Sequence, residues 1–284
     1  MRVSSFTAAW RSQGTLGSLA VARDMLFGTK SSLASGVSTF VTNAKVIEVG
    51  GPSRCFRRRG FIPIYPLVSS MDIVNFASST LWEGSLEDGA TFAPEGRVLG
   101  HQLLREATDL EGIADHSYDV VISSHCLEHS ANALHALREW KRVCKPDGYL
   151  CLVLPHRDGT FDWMRPVTEI EHYLRDEADN VGEDDQTHFE EIVEFHDISR
   201  DSGVRSRDAL RQRVSQNFHT RAVHHHVFDL RSACLLVAES GWSPQASEAR
   251  RPYDIVVLAR NCVSNARLDL TSVMGSSPFR TDHH

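Results

Sequence analysis

At 284 residues the chain has length for about two average domains, or for one decorated α/β domain. Its 41% hydrophobic and 24% charged residues, with 18 Gly and 10 Pro, exclude collagenous, fibrous and wholly disordered classes. With 30 Lys plus Arg against 37 Asp plus Glu, the net charge of -7 leaves no overall field to attract nucleic acid or anionic lipid.

Residues 1–40 are rich in Ser, Gly, Ala and Thr and carry one weakly helical piece at 19–26, which reads as an N-terminal extension or cap. Arg2, Arg11 and several Ser precede the first acid, Asp24, a pattern that also suits an organellar transit peptide as a minority reading. The first strand is the β-branched run Lys45-Val46-Ile47-Glu48-Val49, which ends in the turn Gly50-Gly51-Pro52-Ser53. The short basic run Arg57-Arg58-Arg59 that follows reads as a solvated turn. A second extended segment at 67–74 carries Asp72, and a third, Tyr118-Asp119-Val120-Val121-Ile122-Ser123-Ser124, is more emphatic. Such near-continuous apolar strands belong in a sheet covered on both faces.

A helix follows, with Ser130 as its expected cap and Leu134, Leu137, Trp140 and Val143 as its buried stripe. Lys145-Pro146-Asp147-Gly148 ends it and turns into the apolar run Tyr149-Leu150-Cys151-Leu152-Val153-Leu154. Residues 156–226 break this alternation and hold eight of the 15 histidines, as an insertion of short helices. Alternation resumes with Asp229 capping a helix that Gly241 ends, then a late strand beginning at Tyr253. The tail, 263–284, reads as flexible, its last two histidines being native or the remnant of a tag.

The six cysteines (Cys55, Cys126, Cys144, Cys151, Cys234 and Cys262) form no C-x-x-C pair and read as reduced thiols of a cytoplasmic protein. No segment reaches the ~20 apolar residues of a membrane span, so the chain is expected to be soluble. An acid one step before a glycine turn, as in Glu48-Val49-Gly50-Gly51, is a physical solution for a nucleoside-bearing cofactor: glycine admits the backbone closely and carboxylates take ribose hydroxyls.

Four ordered blocks extend that signal: Val46-Ile47-Glu48-Val49-Gly50, Glu106-Ala107-Thr108-Asp109-Leu110, residues 117–129 (SYDVVISSHCLEH) and residues 137–150 (LREWKRVCKPDGYL). Together they closely resemble the class I S-adenosylmethionine-dependent methyltransferases, in particular their small-molecule branch. The resemblance implies an α/β, doubly wound, Rossmann-like and mainly parallel seven-stranded sheet with a helical insertion after the fifth strand. It divides the chain into an extension (1–40), a cofactor-binding core (41–155), an acceptor-binding lid (156–226), the rest of the core (227–262) and the tail. Carried over, Glu48 and Gly50, with Gly51 beside them, hold the methionine and ribose end, and Asp72 the ribose hydroxyls. Glu106 and Ala107 lie beside adenine, and Ser124 and His125 border the sulfonium and the acceptor. Pro52 and Arg54 depart from the family's further glycines, and the missing amide of Pro52 cannot contact the cofactor.

An imidazole near neutral pKa suits deprotonation of a hydroxyl or amine acceptor. His156, after the fifth strand, is the first choice of base and His125 the second; His129 is the third, with Leu127-Glu128-His129 also readable as a structural element. In the lid, alternation along an extended segment lets His224 and His226 converge while His225 turns away. With no H-E-x-x-H or finger spacing, no metal is assigned. The expected enzyme takes S-adenosylmethionine and a small-molecule acceptor such as a sugar or a secondary-metabolite intermediate, and no nucleic acid or membrane. Homodimerisation is left open. The rival readings are a non-catalytic scaffold of the same fold and a protein or RNA methyltransferase.

Overall fold

A computed structural model describes residues 29–262 and 269–283. The weak helix expected at 19–26 lies outside them. Helix α1 (Ala34–Val41) leads into strand β1 (Lys45–Val49), and β2 (Ser70–Asn75) lies parallel beside it. Between them runs no α-helix, only a single 3-10 turn at Arg54–Phe56 whose Phe56 plugs the sheet face. The short hairpin β3 (Ser79–Thr80) and β4 (Gly84–Ser85) stands apart. Strands β5 (Thr91–Phe92), β6 (Gly100–Leu104) and β7 (Tyr118–Ser124) follow.

Helix α2 (Ala133–Val143) and strand β8 (Cys144–Pro155) complete the crossover expected from the sequence. The cap of α2 is Asn132, whose side chain accepts from His135 N at 3.1 Å, and not Ser130, which sits two residues outside the helix. The insertion folds into α3 (Ile170–Ala178), α4 (Phe189–Phe195), α5 (Arg207–Ser215) and α6 (Asn217–Thr220), with its own small core of Ile192, Val204, Leu210, Val214 and Val223. Helix α7 (Leu230–Glu239) starts in a capping box formed by Asp229 and Ser232. Strands β9 (Ser243–Arg250) and β10 (Asp254–Arg260) and helix α8 (Leu270–Val273) close the chain.

The main sheet has the order β5-β6-β2-β1-β7-β8-β10-β9, with β10 and the edge strand β5 antiparallel to their neighbours. It is the expected mainly parallel doubly wound sheet. An eighth strand, β5, adds only two residues to the edge. The order reverses between β1 and β7, which opens a crevice at the strands' carboxyl ends. Alternation sorts the strand residues onto two faces: Ile47, Val49 and Val121 meet α2 and α7, while Val46, Val120 and Ile122 meet α1 and the Phe56 segment. Burial of both faces explains why these strands lack polar alternation.

The tail departs from expectation. Residues 269–283 dock against the core: Phe279 is buried and stacks on His156 at 3.9 Å between centroids. Asp282 accepts from Leu230 N at the start of α7 (2.9 Å), from the Ser277 hydroxyl and from His156 Nε2 (3.1 Å). A buried aromatic of this kind is costly to truncate, so Phe279→Ala should lower the unfolding free energy by about 3 kcal/mol. The urea midpoint measures this, and an unchanged midpoint would mean that the tail does not dock.

Candidate active site

A cleft of about 980 Å³ opens at the carboxyl ends of β1, β2, β7 and β8 and is roofed by the insertion. Its first half is lined by Gly50, Pro52, Asn75, Phe76, Glu106, Ala107 and Ser124. Gly50 holds φ +82°, and a Cβ there would overlap the Cys126 side chain, so the turn demands glycine on both counts. A Cβ on Gly51 would run into the Glu48 carboxylate. These contacts leave backbone, and no side chain, at the mouth of the turn.

Several residues expected at the cofactor lie elsewhere. Glu48 is fully buried and turns under the turn, accepting from Ser53 N (2.9 Å) and Tyr65 OH (2.6 Å); burial pushes its pKa up, against those bonds. Gly51 lies behind the cleft wall with it. Asp72 pairs with Ile47 in mid-sheet, three residues before β2 ends, and accepts from His101 N (2.9 Å) and Tyr118 OH (2.8 Å). The polar residue at the strand's exit is Asn75, which donates to Gly51 O at 2.9 Å. Glu106 and Ala107 do line the cleft; Glu106 accepts from Arg221 Nη2 of the insertion at 2.9 Å, and Ala107 O accepts from Trp140 Nε1 at 2.8 Å. An open glycine backbone beside Asn75, Glu106 and Ser124, with the apolar Phe76 and Ala107, fits a nucleoside with its ribose hydroxyls.

The second half of the cleft carries His125, Glu128, His129, Phe161, His224 and Tyr253. His156 does not open onto it. Its ring is fully buried, donates to Asp282, accepts from Asp158 N (3.1 Å) and lies under Phe279, so it is a structural group that anchors the tail. His125 follows β7 in a left-handed conformation (φ +52°) that aims its ring between Asp254 (3.0 Å) and Glu128 (3.5 Å). Burial pulls its pKa down, but the hydrogen bond to Asp254 and the nearby Glu128 carboxylate outweigh burial and raise it to about 10. His125 is therefore an imidazolium at neutral pH, unsuited to accept a proton. His129 is the neutral ring, its pKa lowered to about 4, chiefly by burial.

The tautomers of the lining histidines follow from partners that can only accept. His129 Nδ1 faces Val223 O at 2.9 Å, and His224 Nδ1 faces the Asp162 carboxylate at 2.6 Å. Each Nδ1 therefore carries a proton, and the neutral His129 ring keeps its lone pair on Nε2. Asp162 is buried with Arg165, which donates to its Oδ1 (2.9 Å) and to the carbonyls of His224 (2.9 Å) and His225 (3.1 Å). Burial alone would raise the Asp162 pKa, but His224 and Arg165 hold it well below the carboxylate range. Glu128 is 0% exposed, and neither of its carboxylate oxygens has a hydrogen-bond partner.

His224 and His226 do not converge. His224 joins Glu128 and His129, while His226 faces Asp176 at 3.1 Å and joins His172 and His188. Sequence reasoning placed His224 in the acceptor-binding lid and missed Glu128 and Asn75 as cleft groups. The Leu127-Glu128-His129 string carried the signal for Glu128, but His224 reaches the cleft only through Asp162 and Arg165, some sixty residues away.

Fold and cleft thus define an α/β protein whose cleft, at a topological switch point, fits a nucleoside-bearing ligand. Residues 78–152, about a quarter of the chain, match a methyltransferase domain family. That match supports an S-adenosylmethionine-dependent methyltransferase as the class of enzyme. The match begins beyond β2 and takes in Glu106, Ala107, Ser124, His125, Glu128 and His129. Solved structures similar to it include an S-adenosylmethionine-dependent methyltransferase from Aquifex aeolicus (12% identity, 84% of this chain and 92% of that one, TM-score 0.41). One from Mesorhizobium loti is 13% identical over 80% of this chain and 95% of that one, with a TM-score of 0.44. The 1,6-didemethyltoxoflavin-N1-methyltransferase of Burkholderia thailandensis, solved with 1,6-didemethyltoxoflavin and S-adenosylhomocysteine, is 14% identical over 89% and 88%, with a TM-score of 0.43. No curated protein matches the sequence. Among the described residues no helix is long and apolar enough to cross a membrane.

The placement of His156 separates fold from catalysis. His156→Asn should lower the melting temperature by several degrees and leave kcat within about twofold, because the ring contacts the tail and not the cleft. A fall in kcat of a hundredfold with normal cofactor binding would return His156 to the mechanism.

Proposed function

We propose that the enzyme methylates a hydroxyl, and less readily an amine, of a small metabolite such as a sugar or a secondary-metabolite intermediate. The observation that carries this reading is the division of one cleft into an open glycine half and a half walled by proton-accepting atoms. Gly50, Asn75, Glu106, Ala107 and Ser124 hold the cofactor, whose sulfonium supplies a methyl carbon already activated for in-line displacement.

The chain's own contribution is orientation. The Nε2 lone pair of His129 and the Glu128 carboxylate offer no proton, so they favour an acceptor that brings one, as a hydroxyl or an ammonium does. Phe161 and His224 line this half, and Arg221 of the insertion pairs with Glu106 and Glu183 across the cofactor half. A cleft of this size suits a small acceptor. The net charge of -7 disfavours a polyanionic one. Six cysteines free of disulfides suit a reducing cytoplasm.

Titration with S-adenosylhomocysteine tests the cofactor half. Saturable binding is expected, with a rise in Tm of roughly 5 °C at a hundredfold excess over Kd, and Asn75→Ala should weaken it about tenfold. No heat and no thermal shift at millimolar ligand would favour the scaffold reading and overturn this one.

A further inference from the structure

Three groups that carry metal-ligand atoms meet in the second half of the cleft. The Glu128, His129 and His224 ligand atoms lie within 4.8 Å of one another. His129 Nε2 stands 3.8 Å from Glu128 Oε1, so the ring nitrogen faces the carboxylate. Among the described residues the nearest further donor to that carboxylate is His125 Nδ1, at 3.5 Å, too far for a good hydrogen bond. The His125 imidazolium offsets this buried charge from a distance but leaves both carboxylate oxygens without a hydrogen bond, and a metal cation would engage all three groups at once.

We propose that Glu128, His129 and His224 bind a divalent first-row metal ion, of the Mn2+ or Zn2+ kind, which takes the hydroxyl of the acceptor in an open coordination position. Two imidazoles and one carboxylate are a donor set for ions of intermediate softness. The surroundings match what a ligating histidine requires, since its second nitrogen gives its proton to a carboxylate or a backbone carbonyl and so fixes the ring. His129 does this to Val223 O and His224 to Asp162, which Arg165 holds in turn. Three protein ligands on one wall leave the cleft side open, as in catalytic sites. An alcohol oxygen bound there would be acidified, its proton passing to water in the cleft.

The second histidine cluster lacks this arrangement. His172 Nε2 meets His188 Nε2 at 2.8 Å, and Arg175 Nη2 approaches His172 Nδ1 at 3.4 Å, so these rings bond among themselves and their neighbours. The two clusters can therefore be told apart.

The acceptor role rests on the methyltransferase reading above; the metal site does not. The test uses the full chain, stripped with chelator and then titrated with Mn2+, free ion being followed by electron paramagnetic resonance, and with Zn2+ under equilibrium dialysis. One equivalent should bind. Glu128→Gln and His224→Asn should each weaken binding by a hundredfold or more, Asp162→Asn by 10 to 100-fold, and His172→Asn should leave it unchanged. Retention of the S-adenosylhomocysteine thermal shift shows which variants are folded, and Asp162→Asn carries the test if a ligand variant is not. Failure to bind any stoichiometric ion would overturn the proposal, as would binding lost in His172→Asn but kept in Glu128→Gln. Metal binding without S-adenosylhomocysteine binding would sink the methyltransferase reading and leave the site. Full methyl transfer by the stripped enzyme would remove the metal's role toward the acceptor.

Discussion

The loop after β7 ties the molecule together by burying Glu128 at a point where four parts of the chain meet. Cys126 packs on Gly50, which shapes the turn after β1. The His125 ring reaches Asp254 at the start of β10, and Glu128 O accepts from His225 N (2.8 Å) while His129 reaches Val223 O. Five residues thus fix the cofactor turn, the antiparallel end of the sheet and the roof against one another. A charge held at such a buried junction must be matched by the groups around it, and a histidine cation and two oriented rings surround it.

That arrangement divides the labour within the cleft. The half under β1 and β2 relies on missing side chains and on polar groups at strand exits, an economy suited to a large, invariant ligand. The other half relies on rings held by second nitrogens, with Asp162 and Arg165 buried behind His224 to keep its tautomer. Fixed rings lose little freedom when they engage a ligand, so their lone pairs are already aimed. The insertion is therefore part of the site, and Arg221 fastens it through Glu106 and Glu183.

The residues that sequence patterns placed well are those whose role is local. The extents of β1 and β7, the Asp229 cap and the Gly241 stop follow from β-branched runs, capping chemistry and left-handed glycine, and each appears in the structure. Residues whose role depends on register or long-range packing were misplaced. Asp72 sits three residues from the strand exit because β2 starts at Ser70, and no periodicity marks which residue of a buried strand reaches its end. Strand β9 reads as polar, SPQASEAR, since it pairs with β10 and packs beside α7 and α8 without an apolar run. Phe279 and Asp282 looked like tail because nothing nearby in the chain explains their burial.

The amino-acid order alone settled the class of fold and the kind of cofactor, since alternating strands and helices and the four ordered blocks depend on neighbours along the chain. Tertiary structure decided which groups face the ligand. Glu48 turned inward once Tyr65 and Ser53 offered hydrogen bonds under the turn, and His156 was taken by Asp282 from 126 residues away. His129 and His224 became aimed rings only because Val223 O and Asp162 came to lie behind them. A side chain's protonation and direction are set by whatever the folded chain brings within hydrogen-bond reach, and that is a property of the packing.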